Sequence, residues 1–458
     1  MRALTTAALA VVLLPVLAAD LTGQRRRRFP RRPPAAEPAD PAEAPSEKKA
    51  AKVERWVAVR GGDVYLGTGQ LLRRATVLIG DDKIKAVGHD LDVPDEAEVI
   101  DARGKAVAPG FIAVKARGMG APSYADEEFA DSLNPFSPDI KLGLSAGITS
   151  YLAQVDRGTD VPGGRSAVVK LAWGDVDGML VAQDTVYTMR VPLSAAKWRA
   201  LRERVEKAKE GLAQGKDAGK DAAKPADKST TKGQGGTTPG RSARGGDKGP
   251  DAVTKILRGE AKLWVTSSGN FDVGPLRQAL EISRLLGHGV VLDNPVGAWV
   301  IPDEVAATGS MAVVSPRLRV RPDPGRPDDT GSNLAQAAIL GEAGVPVAVI
   351  PPGGRFGGSG LGRNGILGQD LHTLHLDAAF AVRGGMEDRR ALRTITLDAA
   401  KTLGVAERIG SIEPGKDADL LILDGDPLHY RTFVETAIVN GKVVYEKDKE
   451  PFYSHIHR

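Results

Sequence analysis

The alternation of apolar and polar positions becomes regular near Val53, and its first stretch predicts short strands. VAVRGGDVYLGTG (57–69) and ATVLIGDDKIKAVG (75–88) are apolar segments broken by turn residues, the pattern of antiparallel pairs. VIDARGKAVAPG (99–110) closes that group. From there β-rich runs alternate with helical ones. The strands are AVAPGFIAV (106–114), GITSYLAQV (147–155), SAVVKLAW (166–173), TVYTMRVP (185–192), KLWVTSS (262–268), GVVLDN (289–294), MAVVSP (311–316) and VPVAVIP (345–351). Between most of them lie helical patterns such as AAKWRALRERVEKAKE (195–210) and VGPLRQALEISRLLG (273–287). Eight strands with helical connections predict an α/β fold, a TIM-like (β/α)8 barrel. A doubly wound open sheet is the alternative, because periodicity does not see closure.

Two stretches carry no such pattern. PRRPPAAEPADPAEAPSEKKAAK (30–52) is Pro/Ala/Glu-rich and predicts an extended linker. GLAQGKDAGKDAAKPADKSTTKGQGGTTPGRSARGGDKGP (211–250) holds one leucine and no aromatic residue, and predicts a disordered insert. Ahead of the linker, Arg2 precedes an apolar run from Ala7 to Leu17, with small residues around Ala18 and Ala19. That is the pattern of a secretory signal peptide over residues 1–19, and it predicts export to the periplasm or outside the cell. The run Arg25 to Arg28 opposes it, since positive charge just after the apolar run disfavours export. No other segment is apolar enough to predict a transmembrane span.

Composition sharpens this picture in two places. The chain has 458 residues, 41% hydrophobic and 26% charged, enough to bury a large core, and has no cysteine. Disulfides, a thiol nucleophile and a Cys-built zinc site are thereby excluded. The formal charge of +4 belongs to the tail: residues 1–52 hold ten Lys/Arg against five Asp/Glu, +5, which leaves −1 for the rest. Nucleic acid is therefore not an expected partner of the body. No P-loop ending is present, so no nucleoside triphosphate site is predicted.

The segment DVYLGTG…VLIGDDKIKAVG…VIDARGKAVAPGFI resembles the start of amidohydrolase-superfamily proteins of the imidazolonepropionase-like kind. TITLDAAKTLGVAERIGSIEPGKDADLLILDGDPL…IVNGKVVY (394–445) is similar to their ending. LNPFSPDIKLGLSAGITS (133–150) and ILRGEAKLWV (256–265) extend the resemblance across most of 57–446. It implies a TIM-like barrel at 105–404, a small composite β-sandwich from 53–104 and 405–446, and a tail at 447–458, beside the linker over 20–52. It also implies hydrolysis of non-peptide C–N bonds through zinc or another divalent metal, which makes hydroxide from bound water and polarises the carbonyl.

The ligands of that chemistry would be His-x-His on the first strand, a carbamylated Lys or Glu on the fourth, His on the fifth and sixth, and Asp on the eighth. Here the first strand offers Lys115 and Arg117, after Ala113. The fourth offers Arg190, the fifth Thr266 and Ser268, the sixth Asp293 and Asn294, the eighth Pro351 and Pro352. Every expected ligand is missing, and of the residues in their place only Asp293 is a good ligand for a dication, so no metal cofactor is expected at the mouth. Ammonium and guanidinium repel a dication and do not ligate it while protonated. Lys115 and Arg117 either hold an anion in place of the metal charge or pair with acids such as Asp126, Glu127, Glu128 or Asp293. In PPGGRFGGSGLGRNG (351–365), Arg355 and Arg363 are candidates to bind an anion beside the last strand. His372 and His375 share a helical face near Asp370 and Asp377, a second ligand set for which helix packing is the plainer reading. His455 and His457 lie in the last four residues. Two functional classes stay open: a degenerate hydrolase, or a non-catalytic binding or scaffold protein for an unknown small molecule, with a homo-oligomer left open.

Overall fold

The computed structural model describes residues 55–121, 129–154, 162–215, 251–267, 271–352 and 371–451. The linker, the region 216–250 and the extreme C-terminus lie outside them. No helix among the described residues is long and apolar enough to cross a membrane.

An eight-stranded sheet draws on both ends of the chain. Its strands are β1 (Trp56–Tyr65), β2 (Leu71–Gly80), β3 (Lys83–Gly88), β4 (Glu98–Asp101), β5 (Ala106–Pro109), β15 (Leu420–Leu423), β16 (Val434–Val439) and β17 (Lys442–Glu446). They run in the order β17-β16-β15-β5-β1-β2-β3, with β4 on β1. The junction of the two ends is the antiparallel ladder from Leu420↔Pro109 to Leu423↔Ala106. The strands of both chain ends are therefore hydrogen-bonded into one continuous sheet. Its alternate side chains, among them Val57, Val59, Val77, Ile79, Val107, Leu420 and Ile422, form one buried cluster.

The single apolar run AVAPGFIAV is two strands. β5 ends at Pro109, and β6 (Phe111–Ala116) begins after Gly110 in a different sheet. Gly110 makes the crossing possible: a Cβ there would sit 1.9 Å from Thr149 Oγ1 and 2.6 Å from its Cβ. Only hydrogen leaves room for the backbone to pass.

β6 pairs in parallel with β7 (Ile148–Gln154), which pairs antiparallel with β8 (Ser166–Lys170), followed by β9 (Leu180–Gln183). A second sheet is parallel throughout, from β10 (Val186–Val191) through β11 (Lys262–Ser267), β12 (Val291–Asp293) and β13 (Met311–Val314) to β14 (Val347–Val349). The third expected strand thus runs against its neighbour: Gln154 and Ser166 are paired in register. Nor do the described strands close into one ring. Between β14 and β6 stand residues 394–395, with Ile112 N–H donating to Ile395 O (2.7 Å) and Val349 N–H to Thr394 O (3.2 Å). Between β8 and β10 the Ser166 hydroxyl donates to Val186 O (2.9 Å) and accepts from Val186 N–H (3.1 Å). Side-chain and turn hydrogen bonds fill both seams where strand pairing would complete a barrel.

The two open sheets nonetheless share one interior. Ile112, Leu152, Val168, Val186, Trp264, Val291, Val313 and Ala348 point into a common buried cluster. The alternate residues, such as Tyr187, Met189, Val265 and Leu292, face the helices on the outside. Those helices include α2 (Ala195–Ala213), which carries the first residues of the 211–250 stretch, α4 (Val273–Leu286) and α9 (Leu397–Leu403). Ser194 caps α2 by accepting from Lys197 N–H at 3.4 Å. α4 stops at Gly287, whose φ of +75° fits the left-handed cap position.

The eight-stranded sheet is fastened to this interior by a buried ionic network. Lys170, at the end of β8 and fully buried, contacts Asp417 Oδ2 (2.7 Å), Asp419 Oδ2 (2.9 Å) and Asn440 Oδ1 (2.6 Å). Lys83 and Arg408 also reach Asp417.

Candidate functional site at the carboxyl ends of the strands

Side chains at the carboxyl ends of parallel strands point into a common mouth when they continue the interior parity of their strands. On β10 that parity runs from Val186 to Arg190, on β11 from Trp264 to Thr266, on β12 from Val291 to Asp293, and on β13 from Met311 through Val313 to Ser315. The ladder sets Arg190 beside Thr266. It pairs Val265 with Leu292, so Thr266 and Asp293 come next along their strands. Neighbouring strands lie about 4.8 Å apart, so Arg190, Thr266 and Asp293 form one tier, with Ser315 two residues beyond Val313, the partner of Asp293.

Lys115 completes it from β6. The β6–β7 register slips between Ala113 and Ala116, and this irregularity brings the Lys115 side chain into the tier. Its ammonium forms an ion pair with Asp293 Oδ2 and lies 5.7 Å from the centre of the Trp264 ring. Both partners are largely buried, with side-chain exposures of 18% and 9%. Trp264 is the floor beneath them, fully buried and fixed by its indole N–H donating to Thr402 O at 3.0 Å. The second carboxylate oxygen, Asp293 Oδ1, is buried and makes no hydrogen bond.

Beside this pair Asn294 has a φ of +57°, and its N–H donates to Val313 O at 2.8 Å. It turns away toward a cavity of about 10 Å³ lined also by Ser315, Ser332, Asn333 and Gln336, space for one water molecule. Ser315 Oγ is buried there without a hydrogen bond. Arg190 is exposed at the rim, and Arg117 is exposed just past the end of β6.

Of the residues chosen from the sequence, the fold brings together Lys115, Arg190, Thr266 and Asp293. Arg117 and Asn294 flank them without joining the tier. Ser268, Arg355, Arg363, Asp126, Glu127, Glu128 and Asp370 lie outside the described residues, as do His455 and His457. Sequence reading missed Trp264 and Ser315; the same alternation that placed Thr266 and Asp293 inward would have found both.

His372 and His375 stand at the start of α7 (Leu374–Arg383). Burial pulls both imidazoles below their ordinary range, and the neighbouring His372 adds to the effect on His375, which falls to about 4. Asp377, on the same helix, is fully buried in a two-pronged bond with Arg317 (2.9 and 2.8 Å). Among the described residues no three His, Asp or Glu side chains converge as a metal site. A catalytic zinc needs about three protein ligands and an open position. The tier offers one carboxylate, and that carboxylate already holds an ammonium, so this donor set does not fit a divalent metal.

The order of strands, the sheet built from both chain ends and the GSIEPGKDADLLIL segment define the class. The chain belongs to the amidohydrolase superfamily. Residues 332–447 match the model of the amidohydrolase family. An imidazolonepropionase of Micrococcus luteus is 26% identical over 397 residues, 78% of this chain and 89% of the relative. An imidazolonepropionase of Thermoplasma volcanium is 31% identical, but this chain spans only 27% of its length. The crystal structure of an amidohydrolase from Thermotoga maritima covers 85% of this chain and all of its own, with a TM-score of 0.62 at 22% identity, and shows the same fold.

Proposed function

We propose that this superfamily member binds a small organic anion at the mouth of a TIM-like barrel and does not use a divalent metal there. The observation that carries this reading is the buried Lys115–Asp293 pair resting on Trp264. It puts a fixed positive charge, neutralised by one carboxylate, where the superfamily would place its metal. Arg190 then adds a guanidinium at the rim that makes no ion pair among the described residues, with Thr266 as a hydroxyl donor beside it. A carboxylate or phosphate entering the mouth meets a two-pronged donor at Arg190 and the ammonium of the pair that Trp264 supports. Isothermal titration with acetate, lactate and inorganic phosphate tests this. The expected result is saturable binding that weakens about tenfold or more in Arg190→Ala, the loss of one charge-assisted contact. Equal binding by wild type and Arg190→Ala would overturn it.

A second reading keeps metal-dependent hydrolysis of non-peptide C–N bonds. The two neighbouring imidazoles of His372 and His375 favour it. It requires about one or two equivalents of zinc or manganese bound per chain after incubation and dialysis, which the first reading forbids. The apolar run at residues 7–17 further supports export of the chain.

A further inference from the structure

The tier also has the parts of a covalent carbonyl-binding site. From this geometry we infer that Lys115 is an amine nucleophile that forms a Schiff base with a 2-oxo acid, an inference that rests on the anion-binding reading above. A lysine that serves in this way needs three things: partial withdrawal from water, a neighbouring base to take its proton, and an aromatic or apolar wall. Lys115 has each. Its side chain is 18% exposed, its ammonium lies on the Trp264 ring, and Asp293 Oδ2 holds it directly. The buried Oδ1 of Asp293 makes no hydrogen bond, so the carboxylate keeps an unused accepting oxygen.

The substrate class follows from the tier's charges. Arg190 stands two strands from Asp293 with Thr266 between them, a separation of about 10 Å across the backbone. Long side chains from the two ends shorten that span to the length of a short chain with a carboxylate at one end and a carbonyl next to it. The carboxylate sits on Arg190 and the carbonyl carbon at Lys115 Nζ.

The step balances with no other reactant. The ammonium of Lys115 gives a proton to Asp293, and the freed lone pair forms an N–C bond to the carbonyl carbon. The carbonyl oxygen takes a proton from that nitrogen and becomes the hydroxyl of a carbinolamine. Asp293 returns its proton to the hydroxyl, the C–O bond breaks, and water leaves as the C=N bond forms. The product is a protonated imine beside a carboxylate, which restores the charge pair of the resting site.

The test is reductive trapping of the full chain. Protein is incubated with pyruvate and sodium borohydride, and the modified lysine is located by peptide mass spectrometry. The expected result is a reduced pyruvyl adduct on Lys115, absent in Lys115→Arg and at least about tenfold lower in Asp293→Asn, the scale of a lost proton-transfer partner. Lys85, exposed on β3, is the internal control and stays unmodified. Adducts spread equally over Lys85 and Lys115, or none on Lys115, would overturn the inference. Lactate, which has the carboxylate but no carbonyl, separates the two readings in calorimetry. Lactate binding without an adduct sinks the Schiff base alone, whereas loss of both sinks the anion site as well.

Discussion

Replacing Lys170 with methionine removes the bolt between β8 and the eight-stranded sheet while nearly conserving volume. Lys170, Asp417 and Asp419 have side-chain exposures of 1%, 1% and 5%, so none can recover its loss from water. Asp417 keeps Lys83 and Arg408, the latter at 2.8 Å, and stays compensated. Asp419 does not. Its Oδ1 retains the Asn440 N–H at 2.9 Å, but its Oδ2 makes no hydrogen bond and depends on the 2.9 Å ionic contact with Lys170. Breaking one side of a buried pair costs about 3–5 kcal/mol. With one of the two acids still paired, the lower end applies, about 3 kcal/mol. For a slope of about 3 kcal/mol per molar urea, the unfolding midpoint falls by about 1 M. Adding Asp419→Asn removes the stranded charge and recovers part of the loss. Lys85→Met, on the exposed face of β3, sets the baseline. If Lys170→Met unfolds at the same urea concentration as Lys85→Met, the network does not hold the sheet and this reasoning is wrong. The same network predicts acid sensitivity. Burial alone would raise the Asp417 carboxyl, but Lys170, Lys83 and Arg408 outweigh it and hold it at about 2, below the ordinary 3.8. A depressed folded value means the contribution is complete above the ordinary carboxylate range and is lost as pH falls from about 4 through 2.

Gly110→Ala puts a methyl within 1.9 Å of Thr149 Oγ1 and should cost about 1–3 kcal/mol; thermal melting checks it, and Thr149→Ala in the same chain should restore part of the loss. His375 is held neutral by burial, with its folded value near 4 against the ordinary 6.5. Its contribution is therefore present above pH 6.5 and lost as pH falls toward 4, so His375→Gln should flatten the stability curve across that window in urea titrations at stepped pH.

Much of the fold could be read from the sequence because most strands are short apolar runs set off by polar, Gly or Pro residues. The runs at 185–192, 262–268, 289–294 and 311–316 all became parallel strands of one sheet. What failed was direction and membership. AVAPGFIAV looks like one strand, because the apolar pattern on either side of Gly110 is unbroken, and only Thr149 from a distant segment shows why the chain must switch sheets. SAVVKLAW gives no sign that it runs antiparallel to its predecessor, since strand polarity is set by partners and not by composition. At the mouth, the Lys-x-Arg spacing suggested two side chains on one face. Lys115 turns inward at a register slip, while Arg117 falls past the end of β6 and stays in solvent. Nothing in SAVVKLAW marks Lys170 as part of an ionic network. Its partners lie some 250 residues away in a segment whose Asp417 and Asp419 look like turn residues.

The ladder between β5 and β15 sets a clock on biosynthesis. β5 is made early, yet the strand that covers its open edge is translated roughly 310 residues later. At about 5–20 residues per second, that edge waits some 15–60 seconds on the growing chain. During that interval Ala106, Val107 and Ala108 present an apolar strand with unpaired amides, a surface ready to join any other strand it meets. Its lawful partner, β15, emerges only after the whole set of parallel strands, so a chain truncated or stalled before it carries the hazard for as long as it survives.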